Sequence, residues 1–177
     1  MSDPAVIVPG AGRHLDLGNF EAVVLADGRN TGESFSLLQT QNEPPGFGPP
    51  LHIHHDAAEA FYVLEGEYAM YIPTGEHRCP PGSFVYVPSG IAHTFQVVSK
   101  TPGKKLNLFV PQAMVSFFER LAEAEAQGEV TPEMLDVISA ENHMEVVGPV
   151  PNSYLWLRHR PGWTPVLGRV LLQMSMV

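Results

Sequence analysis

The stretch GFGPPLHIHHDAAEAFYVLEG, residues 46–66, sets His52 and His54 two positions apart and places Glu59 five residues further on. In a strand, residues i and i+2 point to the same face, so both imidazoles can enter one interior together. His55 is the rival to His54, and strand parity sends it to the opposite face. A short polar turn, His55-Asp56-Ala57-Ala58, returns the chain so that Glu59 can stand beside the histidine pair. A second stretch, GSFVYVPSGIAHTFQV at residues 82–97, adds a fourth donor, His93, after a tight Pro88-Ser89-Gly90 turn.

Three imidazoles and one carboxylate form a mixed nitrogen and oxygen set, suited to one divalent transition metal ion: Fe, Mn, Ni, Co, Cu or Zn. The set is too rich in nitrogen for Mg or Ca, and without a thiolate partner a structural zinc site is not expected. A metal accepting about five or six ligands would keep open positions for water, substrate or dioxygen.

Outward from these stretches the pattern is all-β. The chain has 17 prolines and 16 glycines, and those before residue 111 break it into short β-branched and aromatic runs. Strands are expected at 20–25, 34–40, 60–64, 67–72, 84–87, 93–98 and 105–110, enough to close a barrel. After Pro111, Met114, Phe117, Phe118 and Leu121 recur at helical spacing with charges between them, predicting an amphipathic helix over 112–127 that Gly128 stops. Thr131-Pro132-Glu133 reads as N-cap, first-turn proline and first-turn acid of a second helix reaching about 142. Both helices are expected to plug the barrel. The rest, from 144 on, is expected to wrap it as extended chain.

With 177 residues the chain suits one domain: N-terminal strands to 44, a barrel core at 45–110, then the helical plug and tail to 177. Hydrophobic content of 44% against 16% charged is that of a folding chain. Nineteen acidic and ten basic side chains give a net charge of −9, a field that repels polyphosphates and anionic headgroups. Nucleic acid and membrane are therefore poor partners, and a small-molecule substrate is expected. The lone Cys79 cannot form an internal disulfide, and MSDPAVIVPGAG lacks the basic start and apolar run of a signal peptide, so the expected location is cytoplasmic. The apolar segment Val170–Val177 would be hidden on its own barrel or against a second subunit, and a homodimer is the expectation.

The two stretches also carry a family resemblance. Residues 46–66 read G-x5-H-x-H-x4-E-x6-G, residues 82–93 read G-x5-P-x-G-x2-H, and together they resemble the two signature motifs of the cupin superfamily. The second motif often continues to an Asn, a place held here by Val97. The resemblance implies a double-stranded β-helix, the jelly-roll cupin barrel, with a short C-terminal helical extension, and His52, His54, Glu59 and His93 as metal ligands. AEAFYVLEGEYAMYI, PGSFVYVPSGIAHTF and VSFFERLAEA are further similar to bacterial one-cupin quercetin dioxygenase-like proteins. That similarity implies a dioxygenase acting on a small aromatic or enolisable substrate, with Glu59 also the catalytic base, and Phe61, Tyr62, Met70, Tyr86 and Phe95 as dry walls. Within the same superfamily stand a non-redox isomerase, lyase or cyclase and a non-catalytic binding protein. His14, His77, His143 and His159 have no partner at ligand spacing and read as surface residues. Lys100, Lys104 and Lys105 read as a basic group at the end of a strand pair.

Overall fold

The computed structural model describes residues 4–149. Its strands are β1 (Arg13–Asp16), β2 (Glu21–Ala26), β3 (Ser36–Glu43), β4 (His52–His54), β5 (Ala58–Glu65), β6 (Tyr68–Ile72), β7 (Gly75–Cys79), β8 (Phe84–Val87), β9 (Thr94–Val97), β10 (Gly103–Val110) and β11 (Met144–Val146). The helices are α1 (Gly28–Thr31), α2 (Val115–Gln127) and α3 (Pro132–Glu141).

One sheet runs β1-β2-β3-β10-β5-β8. Facing it are β11-β4 and β9-β6-β7, joined through an antiparallel bridge between His52 and His93. All pairings of named strands are antiparallel. This is the double-stranded β-helix, a jelly roll whose two sheets bury their inner faces on one another. The core between them includes Leu38, Phe47, Phe61, Val63, Tyr68, Met70, Phe95 and Phe109.

The expected strands are all present, with ends moved by at most three residues. Four further strands form. β7, GEHRC, has almost no β-branched or aromatic content and reads as a turn in sequence; it is a strand because the β6 hairpin supplies its ladder, from Tyr68↔Cys79 to Ile72↔Gly75. Cys79 is accordingly the buried last residue of β7 rather than a turn residue, and burial, with the Glu67 charge, pushes its thiol pKa up.

α2 starts at Val115 rather than 112, because Met114 adopts a left-handed conformation that breaks the helix on its N-terminal side. Its other end is where expected, at Gly128. α3 opens on Thr131, whose side chain caps the backbone N–H of Met134, followed by Pro132. α2 packs on β1 and α3 on β11, so the pair bridges the sheets along the edges where they part. The start of the expected wrapping tail is β11, which pairs with the histidine strand β4. Trp156, His159 and Val170–Val177 lie outside the described residues. Among the described residues no helix is long and apolar enough to cross a membrane.

Candidate metal centre

His52 and His54 both point inward from β4, while Ile53 between them faces away. β5 sends Glu59, Phe61 and Val63 to the same interior, and His93 enters from the residue before β9. The backbone holds these elements in place. His52 and His93 exchange backbone hydrogen bonds of 3.1 and 2.9 Å, and the turn of the second stretch clamps the end of β4: the Gly90 N–H donates to the His54 carbonyl at 2.8 Å, and the Ser89 hydroxyl to that of His55 at 2.6 Å. Gly90 has φ +78°, a conformation that L side chains resist. Gly48 is required for a different reason, since a Cβ there would stand 2.0 Å from the Phe95 carbonyl oxygen, in the crossing that covers β9. Val97, at the position the signature motif often gives to Asn, is fully buried and bonds through its backbone to Gly46 and Phe47.

Donor atoms of His52, His54, Glu59 and His93 all lie within 4.8 Å of one another, and all four residues are buried. His55, the rival, lies on the surface and pairs with Glu145 at 2.8 Å. His14, His77 and His143 are likewise exposed or partly so, beside Glu21, Thr74 and Asp56. Phe61, Met70 and Phe95 do line the interior. Tyr62 and Tyr86, expected among the walls, do not: each is offset by an odd number of residues from an inward neighbour, so the pleat turns it out to solvent.

Hydrogen bonding around the four donors tests the fit to a cation. The Nδ1–H groups of His52 and His93 are committed to the carbonyls of Pro50 and Ile91, at 2.7 and 2.9 Å, and carbonyls only accept. In their neutral forms both rings must then aim an Nε2 lone pair inward. Glu59 Oε2 lies 3.0 Å from Nε2 of His93 and 3.1 Å from Nε2 of His54. Lone pairs converging this closely repel unless a proton or a metal ion lies between them. The donor set therefore fits a divalent transition ion.

Protonation follows the same logic. Burial, reinforced by the neighbouring histidines, pushes the His52 pKa down to about 3, so this ring is neutral at ordinary pH. Burial also opposes charge on His93, but its hydrogen bond to Glu59 and the Glu59 charge outweigh it and raise the pKa. Burial would raise Glu59; hydrogen bonds from His54 and His93 overcome it and hold the carboxyl well below the usual carboxylate range. Without metal, His93 thus keeps a proton to higher pH than a free imidazole does. That proton occupies the lone pair a metal needs, so the apparent metal affinity should strengthen as pH rises. Equilibrium dialysis against a metal buffer across the neutral range measures this, and uptake independent of pH would contradict it.

Directly behind the centre lies a group the sequence did not separate from the surface lysines. Lys105 is fully buried, its Nζ donating to Glu43 Oε1 at 2.5 Å and to the Thr40 hydroxyl at 3.0 Å. The Tyr68 hydroxyl donates to the other Glu43 oxygen, and Asn107 Nδ2 donates to Thr40 at 3.2 Å. The ammonium also sits 4.0 Å from the centre of the Phe95 ring. Phe95, with Phe61, separates this polar cluster from His93.

A jelly-roll barrel with a buried centre of three histidines and one glutamate defines a class, the small β-barrel proteins with a candidate mononuclear metal site. The cupin domain model matches residues 39–109, a span that includes all four donors. The chain is 29% identical over 120 residues to quercetin 2,3-dioxygenase of Bacillus subtilis (strain 168), covering 68% of this chain and 35% of that protein. It is 32% identical over 117 residues to germin-like protein subfamily 2 member 2 of Arabidopsis thaliana, covering 63% of this chain and 51% of that one. This chain therefore spans about a third and about half of the length of these relatives. Among solved structures, a predicted oxalate decarboxylase from Thermotoga maritima superposes with a TM-score of 0.54 at 18% identity, covering 60% of this chain and 99% of that one, a likeness of fold.

Proposed function

We propose that the protein is a metal-dependent dioxygenase of quercetinase type, acting on a small aromatic or enolisable substrate, with His52, His54, Glu59 and His93 as metal ligands and Glu59 also as base. The observation that carries this reading is the arrangement of Glu59. Its Oε2 is held by two imidazoles, and its Oε1 has no hydrogen-bond partner among the described residues. The similarity to the Bacillus enzyme supports the choice of reaction.

A transition metal held by these residues would supply Lewis acidity toward the substrate's oxygen atoms and a route for electrons to dioxygen. Glu59, kept ionised, is ready to accept a proton at Oε1. A carboxylate is a weak base, so it suits a hydroxyl that is already acidic, such as that of an enol or flavonol. Phe61, Phe95 and Phe109 keep the surroundings dry. The substrate gives its hydroxyl proton to Glu59, and both atoms of dioxygen end in the product.

Metal content by mass spectrometry on untagged protein, with oxygen uptake on flavonols and simple diketones, tests the proposal. Near-stoichiometric Fe, Mn, Ni, Co or Cu with substrate-dependent uptake is expected. Zinc without uptake would turn the reading to a Lewis-acid isomerase, lyase or cyclase, and no metal at all to a binding protein. Glu59→Gln should retain most of the metal and lower kcat by roughly 10²- to 10⁴-fold. Unchanged turnover in that variant would remove Glu59 as the base.

A further inference from the structure

The four donors of the metal centre are at most 5% exposed, so a substrate reaches them only past a wall. The strand ladder shows where that wall is. Across the inner face of the six-stranded sheet, Ser36, Phe109, Glu59 and Val87 stand opposite one another on β3, β10, β5 and β8, and all four are buried. This is the last inward row at one end of the barrel, because β3 starts at Ser36, β5 at Ala58, and β10 stops at Val110. Glu59 and Ser36 are two strand spacings apart in that row, about 10 Å. The far end of the interior is filled by Lys105, Glu43 and Tyr68.

Beyond the row at the Glu59 end lies a cavity of about 450 Å³, within the range of about 300–1,000 Å³ usual for small-molecule sites. Glu33, Asp56 and Gln112 line it, each just outside the end of its strand, which sets the cavity over that end of the barrel. The segment Ala113–Val115 divides it from the centre. Met114 and Val115 line the cavity on one side and belong to the barrel core on the other, 5% and 7% exposed. Ser36 ties this segment down: its hydroxyl donates to the Ala113 carbonyl at 2.6 Å and accepts from the Ala113 N–H at 3.2 Å. Met114 then takes φ +65°, a conformation that a residue with a side chain keeps only where its surroundings impose it. α2 begins there without a side-chain cap, so packing rather than capping holds its first turn. The Met114 side chain is unbranched, with three rotatable bonds, and can turn aside while Ala113 stays bonded to Ser36.

We propose that this cavity is the vestibule of the metal centre, and that Met114 is the specificity-determining residue that limits the size of the aromatic or enolisable molecule passing from one to the other. The inference rests on the metal-dependent reading of the centre. Metal-free protein loaded with Co²⁺, whose visible absorption reports occupancy, tests it without any turnover. The probe is bipyridine, a flat, uncharged chelator that must reach the ion to remove it. Met114→Ala should release Co²⁺ to bipyridine at least about tenfold faster than the wild type, because the wall is thinned. Ser116→Trp places an indole in the cavity from an exposed position on the first turn of α2, and should release it at least about tenfold more slowly. Both variants should hold full Co²⁺ when no chelator is added.

A loosened fold can only speed removal, so the slow variant separates a blocked path from lost stability. If Met114→Ala does not fold, Ser116→Trp decides alone. Wild-type release from Ser116→Trp at full Co²⁺ content would overturn the vestibule, and oxygen uptake persisting in the wild type would show that the dioxygenase reading survives it. A Met114→Ala rate equal to that of the wild type would overturn the role given to Met114. Shifted rates in a protein that consumes no oxygen on any substrate would support the vestibule and end the dioxygenase reading. A chain that takes up no Co²⁺ would overturn the metal reading and this inference together.

Discussion

Replacing His93 by alanine is expected to strip the protein of tightly bound metal while leaving the barrel folded. His93 contributes two separable things. Its backbone N–H and carbonyl form the bridge to His52 that joins β4 to β9, and alanine keeps both. Its ring, fixed by the Ile91 carbonyl, contributes a donor to the centre. Losing a hydrogen bond that merely orients a metal-bound histidine costs about 10- to 100-fold in affinity, so loss of the donor itself should exceed that. The space left adjoins Glu59 and two other imidazoles, a polar lining that water can fill, so little stability should go with it. His54→Ala should behave alike. Metal content and thermal melting of the two variants measure both halves of the prediction, and full occupancy in both would refute the ligand assignment.

The centre was legible because its chemistry is local. The two-residue spacing of His52 and His54 fixes their common direction on any extended backbone, and the Pro88-Ser89-Gly90 turn precedes His93 by a short, defined path. β4 itself, three residues long, is too short to show a pattern. What makes it a strand is His93 on one side and β11 on the other, and β11 lies some ninety residues downstream, at Met144 opposite His54.

β10 misleads for a different reason. It reads Lys105-Leu106-Asn107-Leu108-Phe109-Val110, and a rule that puts apolar residues inside would bury Leu106, Leu108 and Val110. The strand does the opposite, turning Lys105, Asn107 and Phe109 inward. The parity of β5 carries the correct register, because an inward Glu59 forces Phe61 and Val63 inward and Tyr62 outward. Both surprises, the ammonium inside and the aromatic rings outside, follow from that single register.

Lys105→Met is expected to be the most destabilising single substitution in the barrel interior, at about 3–5 kcal/mol, because it leaves the Glu43 carboxylate buried without its counter-charge. Glu43 would keep only the Tyr68 hydroxyl as a donor, and in a dry interior one neutral donor does not balance a full charge. Glu43→Leu alone should fail similarly by orphaning the ammonium, whose remaining partners are the Thr40 hydroxyl and the faces of Phe95 and Tyr68.

The pair of substitutions together is the informative case. Two charges that desolvate each other can be exchanged for apolar side chains at little net cost, so Lys105→Met/Glu43→Leu should recover most of the loss. A residual deficit of about 1–3 kcal/mol is expected from the Tyr68 hydroxyl, which loses its acceptor. Denaturant unfolding of the four proteins gives the coupling energy directly. Additive losses would show that Lys105 and Glu43 act independently. Phe95 and Phe61 stand between this pair and His93, so the double variant should bind metal as the parent does. Loss of metal along with the pair would instead mean that the polar cluster and the centre are one coupled unit, held in register through the Phe95 ring.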